Sequence, residues 1–395
     1  MKTMVARCTK NSGLAIIRAL ASAGHDVIGI DDRAMPLGLH TRHASKCEHY
    51  DALTEDEEIE AILRLVRLHR PKVLIAPTLS RMLVPRADEF AAHTSCLLPA
   101  PQAYESVTDK LRLNELCVEL GIPAPGLLSE KQAKERLLNR SLSPLQRAVV
   151  VKPRRDVGGG QGVNIIRDAE QLAPTVSDVS DKYGPSLISE FVPGAREDIV
   201  AVNLLFDKNS ELIGQFAFKK LRLFPPETGV SALARSVFAP ELVERLLPLF
   251  AEVEWQGPAD AEFKIDEESG EARLLEINGR FTGALAFSID CGVNFPALFC
   301  DAVIGVARRC DLKPRYSEGI VYWNPSLFLK SLLQDWQSSS EGWTTIRRDL
   351  RQAKGQKVGS PWRVSDPAPI LGKLLIELRE SMSAKLNGVN GGGPA

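Results

Sequence analysis

Residues 260–281 read DAEFKIDEESGEARLLEINGRF, two apolar runs joined by a short acidic turn. This pattern is typical of a β-hairpin. If Asp266 faces Ala272 across the turn, Glu262 lies directly opposite Glu276 and both side chains project from one face of the sheet. The alternate residues would fix this register, because their burial selects which face is turned inward. These apolar residues are Ala261, Phe263, Ile265, Leu275 and Ile277.

Two carboxylates facing each other at this spacing repel unless a cation lies between them. Mg²⁺ prefers carboxylate and amide oxygens and usually completes its shell with phosphates. The hairpin therefore predicts a magnesium site, or a manganese site, formed by Glu262, Glu276 and Asn278. Arg280 follows with a charge suited to phosphoryl oxygens. The alternative is a solvated hairpin with exposed glutamates.

A glycine-rich segment, VVVKPRRDVGGGQGV at residues 149–163, carries the second signal. An apolar strand ends at Lys152, and the loop holds Gly158, Gly159 and Gly160 before another apolar run begins. Backbone N–H groups of such a loop can approach phosphate oxygens closely, since no Cβ obstructs them. The segment lacks the G-x-x-x-x-G-K-[ST] spacing of a Walker A loop. If this segment is considered alone, a flexible surface turn explains its glycines better than a phosphate-binding loop does.

Between these two motifs lies LISEFVPGAREDIVAVNLLF, residues 187–206. An apolar strand ends at Glu190, and a Pro-Gly pair turns the chain before the next strand. We expect the backbone of Glu190, Phe191 and Val192 to be available to an adenine edge, with Glu197 near the ribose hydroxyls. Without the neighbouring motifs the segment would be an ordinary loop.

Basic residues are concentrated in FKKLRLFPPETGVSALARS, residues 218–236. Lys220, Arg222 and Arg235 in this segment, with Pro and Gly between them, favour a loop that closes on an anionic substrate. A solvated basic strand is the competing interpretation. We expect these three residues to form a clamp for the substrate carboxylate.

The remaining sequence predicts the domain organisation. Alternating helical and strand patterns over residues 1–100 indicate a small doubly wound parallel sheet of the α/β class, without the G-x-G-x-x-G fingerprint of a dinucleotide site. Strand pairs dominate residues 101–310, which is an α+β pattern. We divide it into a glycine-loop part, 101–185, and a metal-hairpin part, 186–310. Residues 311–395 are expected to form a partly irregular extension with a disordered glycine-rich tail.

Composition excludes several classes of function. The chain has 395 residues, with 49 basic and 50 acidic ones, so no overall positive field attracts nucleic acid or an anionic membrane. Seven scattered cysteines without a C-x-x-C pair argue against disulfides or a zinc cluster. Neither a signal peptide nor an apolar run long enough for a membrane span is evident. We therefore expect a cytoplasmic protein.

Together, the ordered motifs resemble the ATP-grasp superfamily, especially its carbamoyl-phosphate-synthase-like and carboxylate–amine ligase branches. The resemblance covers about residues 100–310. It implies that Lys110, in TDKLRL, and Lys152 contact ATP phosphates, that Glu190–Val192 is the adenine hinge, and that Glu197 binds ribose. It also implies Glu262, Glu276 and Asn278 as magnesium ligands. Gly279 departs from the proline found in many relatives, which puts the position of Arg280 in doubt.

What this resemblance implies is an ATP-dependent ligase that forms an amide from a small carboxylate and an amine through an acyl phosphate. One alternative is a carboxylase or carbamoyl-phosphate-forming enzyme that uses bicarbonate. Another is a nucleotide-binding protein without turnover. Ligases of this type often form homodimers, and the sequence leaves the oligomeric state and the substrates open.

Overall fold

The computed structural model describes residues 1–33, 40–195, 198–225 and 229–338, and beyond these only 347, 351, 355–359, 363, 365–369, 371, 372 and 375. Contacts divide the chain into two compact units, Met1–Cys96 with residues 361–395, and Leu97–Ser360. The predicted ribose ligand Glu197 and the predicted disordered tail lie outside the described residues.

The first unit contains the parallel α/β sheet that the sequence predicts. Its strands follow the order β3-β2-β1-β4, and all neighbours are parallel. A first strand that the sequence analysis missed, β1, forms the centre of this sheet. The elements are β1 Lys2–Ala6, α1 Asn11–Ser22, β2 Asp26–Asp31, β3 Lys46–His49, α2 Glu55–His69, β4 Val73–Ile75, α3 Ser80–Leu83 and α4 Ala87–Ala91.

Asp31, at the carboxyl end of β2, is buried and accepts hydrogen bonds from the N–H groups of Thr9 and Arg33. Asp32 forms an ion pair with Arg7, which also pairs with Glu58. These two aspartates therefore connect loops at the carboxyl ends of the strands of this sheet.

The second unit contains two sheets whose strands are mostly antiparallel. A four-stranded sheet has the order β5-β8-β6-β7 and packs against α7 and α9 around an apolar cluster. Its strands pair as the glycine-loop hairpin predicts, with Val149 opposite Ile166. The elements up to this point are α5 Pro101–Thr108, α6 Lys110–Leu120, β5 Leu127–Leu128, α7 Glu130–Leu138, α8 Pro144–Arg147, β6 Val149–Pro153, β7 Asn164–Ile166, α9 Leu172–Tyr183 and β8 Ser186–Glu190.

The larger sheet has seven strands in the order β13-β12-β9-β10-β11-β14-β15. One of its faces packs on α6 and α10 around the main apolar core, in which Trp255 and Phe263 are fully buried. The elements are β9 Ile199–Phe206, β10 Leu212–Phe224, β11 Val230–Val237, α10 Pro240–Glu252, β12 Gly257–Ile265, β13 Ala272–Asn278, α11 Leu285–Asp290, α12 Phe295–Ile304, β14 Val321–Trp323, α13 Pro325–Ser338 and β15 Lys357–Gly359.

Some of the described residues after 310 form regular elements that the sequence analysis did not predict. β14 pairs with β11, and β15 pairs with β14, so both strands extend the larger sheet. Helix α13 packs on β10 and β11. The predicted boundary at residue 310 thus falls within the second compact unit.

In the part of the chain that the structure describes, no helix combines the length and the apolar character that crossing a bilayer requires. None of the seven cysteines, all of which lie among the described residues, forms a disulfide.

Candidate active site

The hairpin of β12 and β13 brings Glu262 and Glu276 directly opposite each other, as predicted. The register nearer the turn is different, because Ile265 and not Asp266 faces Ala272. A β-bulge at Leu275 absorbs the extra residue and restores the predicted pairing beyond it. Leu274, in place of Leu275, therefore reaches the apolar core. Bulges are frequent next to active sites because they redirect side chains and backbone groups.

Two lysines from different elements converge on this hairpin. Lys110 begins α6, whose preceding residue Asp109 caps the helix, and its Nζ lies 3.3 Å from Oε2 of Glu276. Lys152 comes from β6, and its Nζ donates to the carbonyl of the bulged Leu275 at 3.5 Å. The cluster of charged side chains thus combines Lys110 from α6, Lys152 from the four-stranded sheet and Glu276 from the seven-stranded sheet.

These neighbours shift the pKa values of the charged groups. Burial alone would raise the pKa of Glu276, but Lys110, Lys152 and Lys220 together lower it to about 2. Burial lowers the pKa of Lys152 to about 8, and the nearby charge of Lys110 acts in the same direction. Glu276 is therefore ionised at neutral pH, while the pKa of Lys152 lies only slightly above neutral pH.

The glycine loop lies beside the same hairpin. Gly158, Gly159 and Gly160 all have positive φ angles of 86°, 63° and 74°, a region that side chains disfavour. Asp156 at the start of the loop accepts from the N–H of Gly158 and pairs with Arg280 at 3.1 Å. Arg280 thus connects the glycine loop to the end of the β12–β13 hairpin.

Packing explains the glycine at position 279. A Cβ there would lie 2.6 Å from Cε2 of Tyr104 and 3.0 Å from Trp255, whose ring stacks on Tyr104. A proline at this position would meet the same ring, so the chain needs glycine here. Arg280 forms an ion pair with Asp156, so its guanidinium is directed toward the start of the glycine loop.

The predicted adenine hinge lies where β8 ends. The N–H groups of Glu190 and Phe191 already donate to the carbonyls of Gly126 and Ala148. The Glu190 carboxylate pairs with Arg136 and Arg273. Among the hydrogen bonds of the described residues, none uses the N–H of Val192.

Of the three hinge residues, Val192 therefore remains the candidate donor to an adenine edge. The side chain of Glu190 instead ties α7 to β13.

The structure divides the predicted basic clamp between different environments. Residues 218–224 belong to β10 and residues 230–236 to β11, and these two strands pair with each other; residues 226–228 lie outside the described set. Lys220 is buried and donates to Oε1 of Glu262 at 2.6 Å. It therefore belongs to the charged cluster.

Arg222 and Arg235 do not join Lys220, contrary to the prediction. A bulge at Leu221 breaks the alternation after Lys220, and Arg222, 1% exposed, donates to Ser331 and lies over the ring of Phe328 in α13. Arg235 faces Lys219 across the hairpin, whereas Lys220 faces Ala234. Since consecutive strand residues point to opposite faces, Arg235 lies on the face opposite to Lys220.

The sequence analysis overlooked Asp260 and Asn203. Asp260 is two residues before Glu262 on β12, faces Asn278 on β13 and Asn203 on β9, and is 5% exposed. Burial and the charge of Glu262 raise its pKa to about 7. The period of two along β12 is the signal that predicts its position on the face of Glu262.

The oxygen-bearing side chains of the hairpin suit a hard divalent cation, which prefers carboxylate and amide ligands. Asn278 is buried and donates from Nδ2 to Glu276, so it lies within reach of the same centre. Within the described residues, no group of three or more His, Cys, Asp or Glu side chains could hold a metal ion by itself. Glu262, Glu276 and Asn278 thus form a partial shell that fits an ion completed by phosphate oxygens.

Comparisons with known sequences match parts of this chain to a family profile and to curated proteins. A profile described as "ATP-grasp in the biosynthetic pathway with Ter operon" matches residues 231–323. The carbamoyl phosphate synthase large chain of Pyrococcus furiosus is 23% identical over 277 residues, 67% of this chain and 25% of the relative. The N5-carboxyaminoimidazole ribonucleotide synthase of Synechococcus elongatus is 33% identical over 104 residues, 26% of this chain and 25% of the relative. The chain thus spans about a quarter of the length of these curated relatives.

Solved structures share the fold at low identity. The biotin carboxylase domain of Hydrogenobacter thermophilus 2-oxoglutarate carboxylase, in complex with MgADP, ADP and bicarbonate, has a TM-score of 0.59 and 18% identity over 80% of this chain and 71% of that one. The N5-carboxyaminoimidazole synthetase of Staphylococcus aureus has a TM-score of 0.56 and 13% identity, over 77% of each chain.

The profile match over residues 231–323 identifies an ATP-grasp domain in this chain. The chain carries an ATP-grasp domain homologous to carbamoyl phosphate synthase and N5-carboxyaminoimidazole ribonucleotide synthase, as the sequence resemblance predicted. Within that class, its matched profile is the one from biosynthetic pathways with the Ter operon.

Proposed function

We propose that this protein is an ATP-dependent, magnesium-requiring ligase that activates a carboxylate as an acyl phosphate and transfers it to an amine. The observation that carries the proposal is the convergence of Lys110 and Lys152 on Glu276, opposite Glu262, beside a glycine loop. Phosphoryl transfer needs positive charge and backbone N–H donors around the phosphates, together with carboxylates that bind a metal ion.

The residues of the chain have separable roles in this mechanism. Lys110, Lys152 and the loop N–H groups bind the triphosphate and compensate the charge that spreads over the γ-phosphoryl oxygens. Glu262, Glu276 and Asn278 would hold Mg²⁺, which supplies charge neutralisation between the phosphates when it is bound. Val192 orients the adenine through its N–H group.

Arg280 and Lys220 lie at the acceptor side of the cluster. We assign them to the substrate carboxylate, whose oxygen attacks the γ-phosphorus as the bond to ADP breaks. A neutral amine then attacks the acyl carbon, inorganic phosphate leaves, and the nitrogen loses a proton as the amide forms. Arg222 and Arg235 have no part in this scheme.

A second candidate acid is bicarbonate, which the comparisons favour. The relatives include a carbamoyl phosphate synthase, and one of the similar folds was solved with bicarbonate. In that case the product of the first step would be carboxyphosphate, and the remaining roles would be unchanged. Bicarbonate is therefore included in the test as one of the acids.

The test is ATP-dependent release of phosphate from the purified protein, with amino acids, other small carboxylic acids and bicarbonate added singly and with amines. Mass spectrometry of the products identifies any amide. The matched pair of variants is Lys220→Met, expected to lose the stimulated rate, and Arg222→Met, expected to keep it. Nucleotide binding without stimulation by any acid would support a protein without turnover and overturn the proposal.

A further inference from the structure

Two cysteine side chains meet on one face of the parallel sheet in the first unit. Cys8 follows β1, and its N–H group donates to the carbonyl of Ile30 in β2 at 3.1 Å. Cys47 lies on β3, in register with Gly29 of β2. The thiols of Cys8 and Cys47 are hydrogen-bonded to each other. The proposed ligase reaction uses neither of them.

The glycine between the two cysteines allows this contact. A Cβ on Gly29 would lie 3.1 Å from both Cβ and Sγ of Cys8, and 3.2 Å from Cδ1 of Ile17 in α1. Neighbouring strands are about 4.8 Å apart, and residues in register present their side chains on the same face. The thiol of Cys8 therefore occupies the space above Gly29, beside the side chain of Cys47.

The two thiols differ in exposure and in acidity. Cys8 is 6% exposed, whereas Cys47 is half-buried. The hydrogen bond from Cys8, with a further one from the N–H of Gly29, outweighs burial and lowers the pKa of the Cys47 thiol. The hydrogen bond with Cys47 and burial both raise the pKa of Cys8. Since the thiolate is the reactive form of cysteine, Cys47 is the thiol that an oxidant attacks first, with a protonated thiol beside it.

Cys96 and Cys310 provide an internal comparison, because they are half-buried like Cys47. Burial raises the pKa of Cys96 to about 12, and burial also raises the pKa of Cys310. Among the contacts of the described residues, a second cysteine interacts with neither thiol. These two cysteines therefore lack both features that distinguish Cys47.

The position of Cys47 also permits the sulfur atoms to approach. An S–S bond is about 2.05 Å long, so two hydrogen-bonded thiols must move closer to form one. Among the described strands, β3 has a single neighbour, β2, and it is only four residues long. A small shift of this strand toward Cys8 therefore disturbs few hydrogen bonds of the sheet.

We propose that Cys8 and Cys47 form a site of reversible oxidation, at which a peroxide converts the two thiols to a disulfide. With hydrogen peroxide, the Cys47 thiolate attacks one oxygen, the O–O bond breaks, and Cys47 becomes a sulfenic acid as water leaves. The thiol of Cys8 then attacks the sulfur of Cys47, and the S–O bond breaks as the S–S bond forms and a second water leaves. The two thiols lose two electrons, and the peroxide gains them.

The test treats the unmodified protein with hydrogen peroxide, blocks the remaining thiols by alkylation, and maps the cysteines by mass spectrometry of non-reduced peptides. We expect a disulfide between Cys8 and Cys47 that dithiothreitol reverses. It should form at least about 10-fold faster than Cys96 is oxidised, because the thiolate fraction falls tenfold for each unit by which the pKa rises.

Two variants test the separate roles of the thiols. In Cys8→Ser, Cys47 has no thiol partner, so we expect its sulfenic acid to accumulate and to be trapped by dimedone. Cys310→Ser is the matched control and should form the disulfide at an unchanged rate.

Oxidation of Cys96 or Cys310 as fast as Cys47, or oxidation of Cys47 without a bond to Cys8, would overturn the proposal. So would a protein in which peroxide leaves Cys47 unmodified. These outcomes are measured on the unmodified protein, so they decide the question even if Cys8→Ser fails to fold. They are also independent of the ligase activity, which the inference does not require.

Discussion

The buried position of Lys152 predicts a pH dependence of nucleotide binding. Burial and Lys110 lower the pKa of Lys152 to about 8 in the free protein. A triphosphate beside the ammonium group favours its charged form and raises this pKa again. Binding then takes up a proton, so the affinity is full below the free pKa and falls as the pH rises through it.

The size of the effect follows from the protonated fraction. With a pKa of about 8, this fraction falls from about 0.9 at pH 7 to about 0.03 at pH 9.5, which weakens binding by about 30-fold. The assay is isothermal titration of a non-hydrolysable ATP analogue with excess Mg²⁺ at several pH values in this range.

Lys152→Arg is the control, since a guanidinium stays charged throughout the range. We expect its affinity to change by less than about 3-fold between the same two pH values. Equal pH profiles for the variant and the unmodified protein would refute the assignment of Lys152 to the phosphates.

Three further substitutions test the site and its supports. Glu276→Gln should reduce acid-stimulated phosphate release by more than about 100-fold at unchanged secondary structure, and near-normal rates would remove the metal assignment. Gly279→Ala introduces a Cβ 2.6 Å from Tyr104 and should lower the free energy of unfolding by about 1–3 kcal/mol in urea titrations; an unchanged midpoint would contradict the packing argument. Arg222→Met should lower the free energy of unfolding by about 1–3 kcal/mol, whereas Lys220→Met should abolish activity. The reverse pattern would support the predicted carboxylate clamp that includes Arg222.

Hydrophobic alternation predicted the hairpins, and the pairing of Glu262 with Glu276 was predicted correctly although the assumed register at the turn was wrong by one residue. It was not sufficient for the bulges at Leu275 and Leu221, because inserting one residue leaves no signature in an apolar strand. The second bulge is the reason why Arg222 was assigned to the wrong side of the sheet.

Other parts of the site depend on contacts between distant segments. Lys110 was assigned only through the family resemblance, because nothing local shows that the start of α6 approaches Glu276. Asp260 could have been predicted from its spacing to Glu262. The Oδ1 atom of Asn203, which has no hydrogen-bond partner among the described residues, becomes visible only once three strands are assembled.

The ion pair between Lys110 and Glu276 affects whether the nucleotide binds with or without Mg²⁺. Glu276 forms an ion pair with Lys110 and interacts electrostatically with Lys152, the two lysines that we propose bind the phosphates. A nucleotide arriving without a cation must compete with this carboxylate for the lysines. When the nucleotide binds as its Mg²⁺ complex, the phosphates pair with the lysines and the Mg²⁺ ion binds Glu276. We therefore expect the protein to bind the Mg²⁺ complex more tightly than the free nucleotide.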